Sequence, residues 1–290
     1  MAANGAQAGE MTETRLRFAR MHGCGNDFIV IDDRANKWRP RRDALARALC
    51  DRRKGLGGDG LLLIGSDTEV DFAMTYTNAT GVDGEMCGNG ARCLVKRAHD
   101  LGIIGESATF RTDAGLMQAS LQDDNIRLAM TTPSLAELHL TLEADGRTWH
   151  GHGINTGVPH LVIFTDDVAA IDVQRFGPPL RHHPHFARGV NANFAQRVGA
   201  DRYRMRTYER GVEAETLACG TGAVAIGLIA SLLGEAQSPV TILPSGGGEL
   251  LIAFRPREGG RFDDVQLSGP AETIACGSLD RDWLAARHLL

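Results

Sequence analysis

The sequence lacks the features that mark membrane-spanning, secreted and disulfide-rich proteins. Its longest apolar run, AVAIGLIASLL at 223–233, has 11 residues, which is too short to span a bilayer and is typical of a buried helix. The N-terminus has no positively charged start followed by an apolar stretch, so no secretory signal is predicted. The 6 cysteines are spread over 290 residues without a CxxC pair, which argues against a disulfide framework. We therefore expect a cytoplasmic protein with no membrane partner.

Lysine is scarce, and basic stripes are absent. The chain has 3 lysines against 28 arginines. Lys37, Lys54 and Lys96 have no phosphate-binding motif beside them, so a pyridoxal phosphate Schiff base is not predicted. The formal net charge of −5, without basic residues interleaved with aromatics, argues against nucleic acid as a partner. HHPH at 182–185 has no cysteine or carboxylate at zinc spacing, so we predict no metal site and no cofactor.

The chain repeats itself at an offset of 132 positions. Cys-Gly-Asn-Gly-Ala at 87–91 matches Cys-Gly-Thr-Gly-Ala at 219–223, and further matches at this offset extend from Gly25 to Thr109 of the first copy. Such a constant offset indicates internal duplication. Two copies are too few for a solenoid and predict two like domains with a ligand cleft between them.

Each copy alternates short strand-like runs, such as GLLLIG at 60–65 and RYRMRTYE at 202–209, with turns and one clear helix. This alternation predicts an α+β fold in which a sheet wraps a helix. The first helix is predicted over 91–101, with Leu94, Val95, Ala98 and Leu101 on one face. The second, over the apolar run described above, is expected to be enclosed. The first fourteen residues are small and polar, which predicts a disordered tail at 1–14.

Each repeat places a cysteine against a glycine-rich turn at the start of a helix. A helix N-terminus favours negative charge and can lower a thiol pKa to roughly 3.5–7.5. The glycines let backbone N–H groups approach and hold a carboxylate. Two such sites face to face suit an enzyme that inverts the α-carbon of an amino acid. One thiolate would take the α-proton while the opposing thiol donates a proton to the other side.

The sequence resembles the diaminopimelate epimerase family of cofactor-independent amino-acid racemases and epimerases. The resemblance covers residues 15–290 and includes both cysteine motifs. It rests on six stretches in order: MHGCGNDFIVID at 21–32, GLGGDGLLL at 55–63, EMCGNGARC at 85–93, NTGVPHLVIF at 155–164, GVNANFAQ at 189–196 and YERGVEAETLACGTGA at 208–223.

The resemblance implies two pseudo-symmetric domains, each a curved, mostly antiparallel sheet wrapped around a central helix, with the active site in the cleft between them. It implies an N-terminal domain of 12–131 plus 275–290, carrying Cys87, and a C-terminal domain of 132–274, carrying Cys219. The implied activity interconverts LL- and meso-diaminopimelate for lysine and peptidoglycan synthesis. The expected partner is a small amino-acid substrate, with a homodimer as a further option.

The resemblance also assigns roles to individual residues. Cys87 and Cys219 are implied to be the two acid–base residues, and His160 is implied to orient or tune a thiol. The residues implied to bind substrate fall into two sets. The set at the reacting carboxylate and amine is Gly88, Asn89, Gly220 and Thr221. The set at the far end of the substrate is Asn26, Asn78, Asn191, Glu209 and Arg210.

The chain also departs from family patterns in the loops implied to grip substrate. Many relatives have leucine at the position of Cys24, some have glutamine at Gly60, and some have asparagine at Val158. Two alternative functions stay open on the sequence: another cofactor-independent racemase of the same fold, acting on proline or hydroxyproline, and a non-enzymatic thiol redox sensor.

Overall fold

The computed structural model describes residues 15–84, 87–123 and 125–290. The predicted tail at 1–14 lies outside the described residues, as do Glu85 and Met86 of the first cysteine motif. Within the described ranges, no helix is long and apolar enough to cross a bilayer.

The described residues of the first half form seven strands, which are β1 (Leu16–Gly23), β2 (Asn26–Asp32), β3 (Gly60–Gly65), β4 (Phe72–Asn78), β5 (Ser107–Thr112), β6 (Gly115–Gln122) and β7 (Asn125–Ala129). The second half contributes ten, which are β8 (Glu137–Ala144), β9 (Arg147–Asn155), β10 (Pro159–Phe164), β11 (Asn191–Gly199), β12 (Arg202–Glu209), β13 (Ala214–Thr216), β14 (Val240–Pro244), β15 (Leu250–Arg257), β16 (Arg261–Pro270) and β17 (Glu272–Leu279). The helices are α1 (Arg42–Cys50), α2 (Gly88–Asp100), α3 (Val173–Arg181), α4 (Gly220–Leu232) and α5 (Arg281–Ala285).

The two halves share one strand pattern. In the first half, β1–β2 is antiparallel, β2–β3 parallel, β3–β4 antiparallel, β4–β5 parallel, and β5, β6 and β7 follow as an antiparallel meander. In the second half, β9, β10, β11, β12, β14, β15 and β16 repeat this sequence of pairings. The predicted α+β fold and its mostly antiparallel sheet are confirmed.

The halves are joined along one strand pair and differ at their outer strands. β7 pairs antiparallel with β16, so hydrogen bonding is continuous between the halves. β8 pairs with β9 of its own half, whereas β17 returns to the first half and pairs with β1. The division into 12–131 plus 275–290 and 132–274 stays a prediction.

The two long central helices lie inside the curved sheets, α2 with its apolar face toward the core and α4 with a sequence that is apolar almost throughout. In α2 the buried residues include Leu94, Val95 and Ala98, which pack with Phe28 and Leu62 of the first half. α4 is buried nearly throughout, as its apolar sequence predicted. Both helices have 13 residues and start 132 positions apart. The first starts at Gly88 rather than at the predicted 91, because the Gly-Asn-Gly segment forms its first turn.

Two further helices cover the outer faces of the sheets. α1 packs on β2 and β3 through Leu45 and Leu49, and α3 packs on β11 and β12 through Phe176 and Leu180. The parallel strands β2 and β3 are therefore covered on both faces, which explains the unbroken apolar run in Gly60–Gly65.

Candidate active site

Cysteines cap the N-termini of the matched helices α2 and α4. Cys87 has φ −115° and ψ 111°, and Cys219 has φ −127° and ψ 108°, so both are extended residues directly before the first helical turn. The backbone N–H of Gly90 donates to Sγ of Cys87 at 3.5 Å. Each thiol therefore lies beside the N–H groups of a helix start, where the sequence predicted it.

The two helix starts meet at their glycines. A Cβ atom on Gly88 would lie 3.9 Å from Cα of Gly220, and one on Gly220 would lie 2.9 Å from Cδ2 of the buried Leu267. A larger residue at 220 would have to displace Leu267. The predicted pairs Gly88–Asn89 and Gly220–Thr221 therefore lie next to each other, between the two halves.

The Cys87 thiol lies between a donor and an acceptor. Besides the Gly90 N–H, its Sγ is 3.8 Å from Oδ1 of Asn26, to which the thiol donates. Desolvation raises the pKa of Cys87 to about 11; the Gly90 N–H opposes this rise, and the charge of Glu209 adds to it. The thiol is thus the resting form of Cys87 at neutral pH.

Cys219 lies in a different environment. It is only 5% exposed, and its Sγ is 3.6 Å from the hydroxyl of Thr221. Desolvation raises the pKa of Cys219, and the charge of Glu209 raises it further, while the Thr221 hydroxyl lowers it. The expectation that the helix starts lower both thiol pKa values is wrong, because desolvation outweighs the field of the helix N-terminus at each thiol.

Two of the predicted substrate-binding asparagines contact each other beside Cys87. Nδ2 of Asn89 donates to Oδ1 of Asn26 at 3.2 Å and to the carbonyl of Ala218 at 3.0 Å. Asn89 is 1% exposed. Since Ala218 immediately precedes Cys219, this side chain connects the two cysteine loops across the two halves.

His160 is buried below the start of α4 rather than exposed to solvent. Its Nδ1 lies 3.1 Å from Nδ2 of Asn193, which also donates to the carbonyl of Leu161 at 3.0 Å. Burial lowers the pKa of His160 to about 3, so the ring is neutral. A Cβ on Gly222 would lie 2.4 Å from Oδ1 of Asn193, which ties this pair to the first turn of α4.

The residues predicted at the far end of the substrate form a second group in the C-terminal half. Oδ1 of Asn191 accepts from the backbone N–H of Arg210 at 2.7 Å, and the hydroxyl of Thr216 donates to Oε2 of Glu209 at 2.8 Å. These contacts fix Asn191, Glu209 and Arg210 near one end of β12.

Asn78 closes a turn at the end of β4. Its Oδ1 accepts from the backbone N–H of Thr80 at 2.9 Å and of Val82 at 3.1 Å. Asn78 pairs with Gly60 in the sheet, where a Cβ would lie 2.5 Å from Cε2 of Tyr76. A glutamine at this position therefore has no room in this chain unless Tyr76 moves.

The other two departures from the family pattern have simple structural accounts. Cys24 is 3% exposed and packs with the core of the second half. The carbonyl of Val158 accepts from the backbone N–H of Thr156 at 3.2 Å, in the turn between β9 and β10.

Sequence reasoning missed three residues at the site, Asn193, Asp59 and Arg92. Asn193 stands two positions after Asn191 in a strand, so both side chains share one face; the N-A-N spacing was a usable signal. Asp59 accepts from Nδ2 of Asn26 at 2.5 Å, and the fully buried Arg92 donates to Oδ1 of Asn89 at 3.0 Å. No local pattern indicates the Asn26–Asp59 contact, whereas Asn89 and Arg92 stand three positions apart in α2, a spacing that brings side chains together on a helix.

Metal-binding clusters of three or more His, Cys, Asp or Glu side chains do not occur in the ranges that the structure describes. In the HHPH segment, His185 pairs with Glu137 at 2.8 Å.

Comparisons with known proteins agree with this geometry. The profile of the diaminopimelate epimerase family matches residues 18–136 and 153–277. A diaminopimelate epimerase of Methanocella arvoryzae is 38% identical over 286 residues, covering 94% of this chain and 99% of the relative. One of Aquifex aeolicus is 40% identical over 282 residues, covering 93% of this chain and 99% of the relative.

Solved structures of related folds also match. A PhzF-family phenazine biosynthesis protein of Bacillus anthracis has a TM-score of 0.71 at 12% identity, covering 92% of this chain and 100% of that one. A hydroxyproline epimerase of Agrobacterium vitis has a TM-score of 0.65 at 16% identity, covering 92% of this chain and 93% of that one. At these identities the likeness shows a shared fold alone. The sequence relatives and the family profile show that the chain belongs to the diaminopimelate epimerase family.

Proposed function

We propose that the chain interconverts LL- and meso-diaminopimelate by inverting the α-carbon between Cys87 and Cys219. The observation that carries the proposal is the pair of cysteine-capped helix starts that meet at Gly88 and Gly220. Family membership supplies the substrate, because the relatives that match over nearly the whole chain are diaminopimelate epimerases.

The reaction needs only proton transfer. One cysteine, as the thiolate, removes the α-proton, and the electron pair of the broken C–H bond stays on carbon. The opposite cysteine, as the thiol, donates its proton to the other face, where the new C–H bond forms and the configuration inverts. The first cysteine ends as a thiol and the second as a thiolate, ready for the reverse reaction. No group is oxidised or reduced, so the prediction of no cofactor stands with the proposal.

The desolvated environment of the thiols serves this chemistry. A thiolate in a site that raises its pKa is a stronger base than one in water. The α-ammonium group of the substrate brings positive charge close to the thiols and favours loss of a thiol proton. The backbone N–H groups in the first turns of α2 and α4, beside Gly88 and Gly220, are suited to the carboxylate at the reacting carbon.

The distal end of the substrate would be held by the second group of polar residues. An amino-acid head carries a carboxylate for the Arg210 guanidinium and an ammonium for Glu209 and asparagine oxygens. The Asn191 contact to Arg210 N–H supports this grouping. The residues assigned to this end are Asn78, Asn191, Glu209 and Arg210, whereas Asn26, which the resemblance also implied at this end, lies beside Cys87.

Turnover by the reduced protein tests the function. We expect meso product from LL-diaminopimelate, with a preference of at least about 100-fold over proline and hydroxyproline, since those lack the second amino-acid head. Proline turnover at a comparable rate would instead assign the other racemase activity. Reversible oxidation without any turnover would assign a redox sensor. We also propose a cytoplasmic location, because both thiols must remain reduced to act.

A further inference from the structure

The amide group of Asn26 is held at both ends. Its Nδ2 donates to Oδ2 of Asp59 at 2.5 Å. Its Oδ1 accepts from Nδ2 of Asn89 at 3.2 Å and faces the Cys87 thiol at 3.8 Å. Asp59 is itself held by Arg52, which donates to its other carboxylate oxygen at 2.8 Å.

The amide group of Asn89 is also held at both ends. Its Oδ1 accepts from the Arg92 guanidinium at 3.0 Å. Its Nδ2 donates to Asn26 and to the Ala218 carbonyl. Arg92 is 0% exposed and is anchored by further donation to the carbonyl of Pro270 at 3.3 Å.

The chemistry of the two outer groups leaves each amide one orientation. A carboxylate only accepts, so Asn26 must turn its NH₂ group toward Asp59 and its oxygen toward Cys87. A guanidinium only donates, so Asn89 must turn its oxygen toward Arg92 and its NH₂ group toward Asn26. We propose that Asp59 and Arg92 are positioning residues that lock the side-chain amides of Asn26 and Asn89, so that a carbonyl oxygen faces the Cys87 thiol.

The consequence is a fixed protonation preference at one cysteine. The oxygen of Asn26 accepts the S–H of Cys87 and disfavours a thiolate at the same place, since a hydrogen bond to the neutral form favours that form. The locked Asn89 also holds Ala218 next to Cys219. We call the contacts of Asp59 with Asn26 and of Arg92 with Asn89 the clamp. The clamp holds Cys87 as a thiol before substrate binds, and the acid–base role of that thiol rests on the proposed function.

Other groups near Cys87 also influence its titration, and the test must leave them unchanged. Glu209 of β12, Arg92 of the same helix, Tyr76 of β4, Cys93 and Cys219 all interact electrostatically with Cys87. Asp59 can be changed without removing any of them. Its side chain is 41% exposed, so substitution there is compatible with folding.

The decisive variant is Asp59→Asn, which replaces an acceptor by a group that can also donate. The Asn26 amide is then free to flip and present its NH₂ group to Cys87, which stabilises the thiolate. We expect the pKa of Cys87 to fall by about one unit, so that alkylation by iodoacetamide at pH 8 becomes roughly tenfold faster. Peptide mass spectrometry follows Cys87 and Cys219 separately in the same sample, over pH 6–10.

Two controls separate positioning from a general loosening of the fold. Asp59→Glu keeps an acceptor and should restore the slow alkylation of Cys87. Asp67→Asn removes a carboxylate that also pairs with an arginine, Arg111, at 2.7 Å, and should leave both thiols unchanged. Asp59→Ser, which is smaller and can also donate, repeats the test should Asp59→Asn not fold.

The outcomes are distinct. Faster alkylation of Cys87 alone in Asp59→Asn, with unchanged Cys219, supports the clamp. Unchanged alkylation of Cys87, or an equal acceleration of both thiols, overturns it. Because alkylation needs no substrate, this result stands apart from the turnover assay, and failure of the proposed epimerase activity would not produce it.

Discussion

The two halves place different residues beneath the equivalent helix starts of α2 and α4. In the first half Phe28 pairs with Gly60, and in the second half His160 pairs with Asn191 at the matching parallel strands. Below the third residue of α2 lies Leu62, and below the third residue of α4 lies Asn193. The layer beneath the start of α2 is therefore apolar, and the layer beneath the start of α4 is polar.

This comparison shows how a duplicated scaffold can hold two equivalent thiols in unequal environments. The backbone repeat places both cysteines at helix starts, but their neighbours were free to diverge. Cys87 donates to an amide oxygen, while Cys219 has a hydroxyl that can donate to it. An epimerase needs this inequality, because one thiol must be the acid when the other is the base.

Removing either thiol should produce the largest effect. We expect Cys87→Ala and Cys219→Ala each to lower epimerisation by roughly 10²–10⁴-fold, and the double variant to be little worse than either, because the pair acts as a unit. Chiral chromatography of the product measures the rate of epimerisation. Cys276→Ala, at an exposed cysteine of β17, is the matched control and should retain wild-type activity. Near-normal inversion by either single variant would refute the paired role.

The difference between the apolar layer beneath α2 and the polar layer beneath α4 should appear in the stability of variants. A Cβ on Gly222 would lie 2.4 Å from Oδ1 of the buried Asn193, whereas one on Gly90 would lie 3.2 Å from Cδ2 of Leu62. We expect Gly222→Ala to lower the free energy of unfolding by about 2 kcal/mol through overpacking, and Gly90→Ala to cost under about 1 kcal/mol. Urea unfolding of the two variants measures both; equal losses would contradict the difference.

His160, in the polar layer beneath α4, should make the stability of the fold sensitive to acid. Its pKa is about 3 when folded against 6.5 ordinarily, so the unfolded state takes up the proton first. Its contribution to stability is therefore complete above pH 6.5 and is lost as the pH falls toward 3, by up to about 1.4 kcal/mol per pH unit. His160→Phe copies the residue of the first half and should show a flatter stability profile between pH 6.5 and 4. Parallel profiles for wild type and variant would rule this out.

The smallest expected effect lies at Thr221. Its hydroxyl lowers the pKa of Cys219, so Thr221→Val should raise that pKa and slow alkylation of Cys219 by roughly threefold at fixed pH. Cys87 serves as the internal control and should not change. Faster alkylation of Cys219 in this variant would show that the hydroxyl accepts rather than donates.

The sequence predicted the parts of the fold that follow from local residue patterns or from the internal repeat. The offset of 132 located both helices and both cysteine caps, and GLLLIG at Gly60–Gly65 and RYRMRTYE at Arg202–Glu209 were predicted as strands at their observed bounds. α3 was not predicted, because Pro178 and Pro179 lie inside it and proline usually ends a helix.

The finer structure of the site depends on residues far apart in the chain. Asn26 meets Asp59 across 33 positions, and Asn89 meets Ala218 across 129. The direction of the thiol pKa shifts was beyond sequence reasoning for the same reason, since burial depends on both halves together. The start of a helix can be predicted from neighbouring residues, whereas the desolvation of a thiol depends on residues from both halves of the chain.

The most direct test of the two-thiol account is the fate of the α-hydrogen in deuterated water. Reduced protein is given LL-diaminopimelate, and proton NMR with mass spectrometry follows both isomers over the first few per cent of conversion. If Cys87 and Cys219 act on opposite faces, the meso product carries solvent deuterium at the inverted carbon, while unconverted LL substrate keeps its hydrogen. Product that retains the substrate's own hydrogen would mean that one group serves both faces, and would contradict the account.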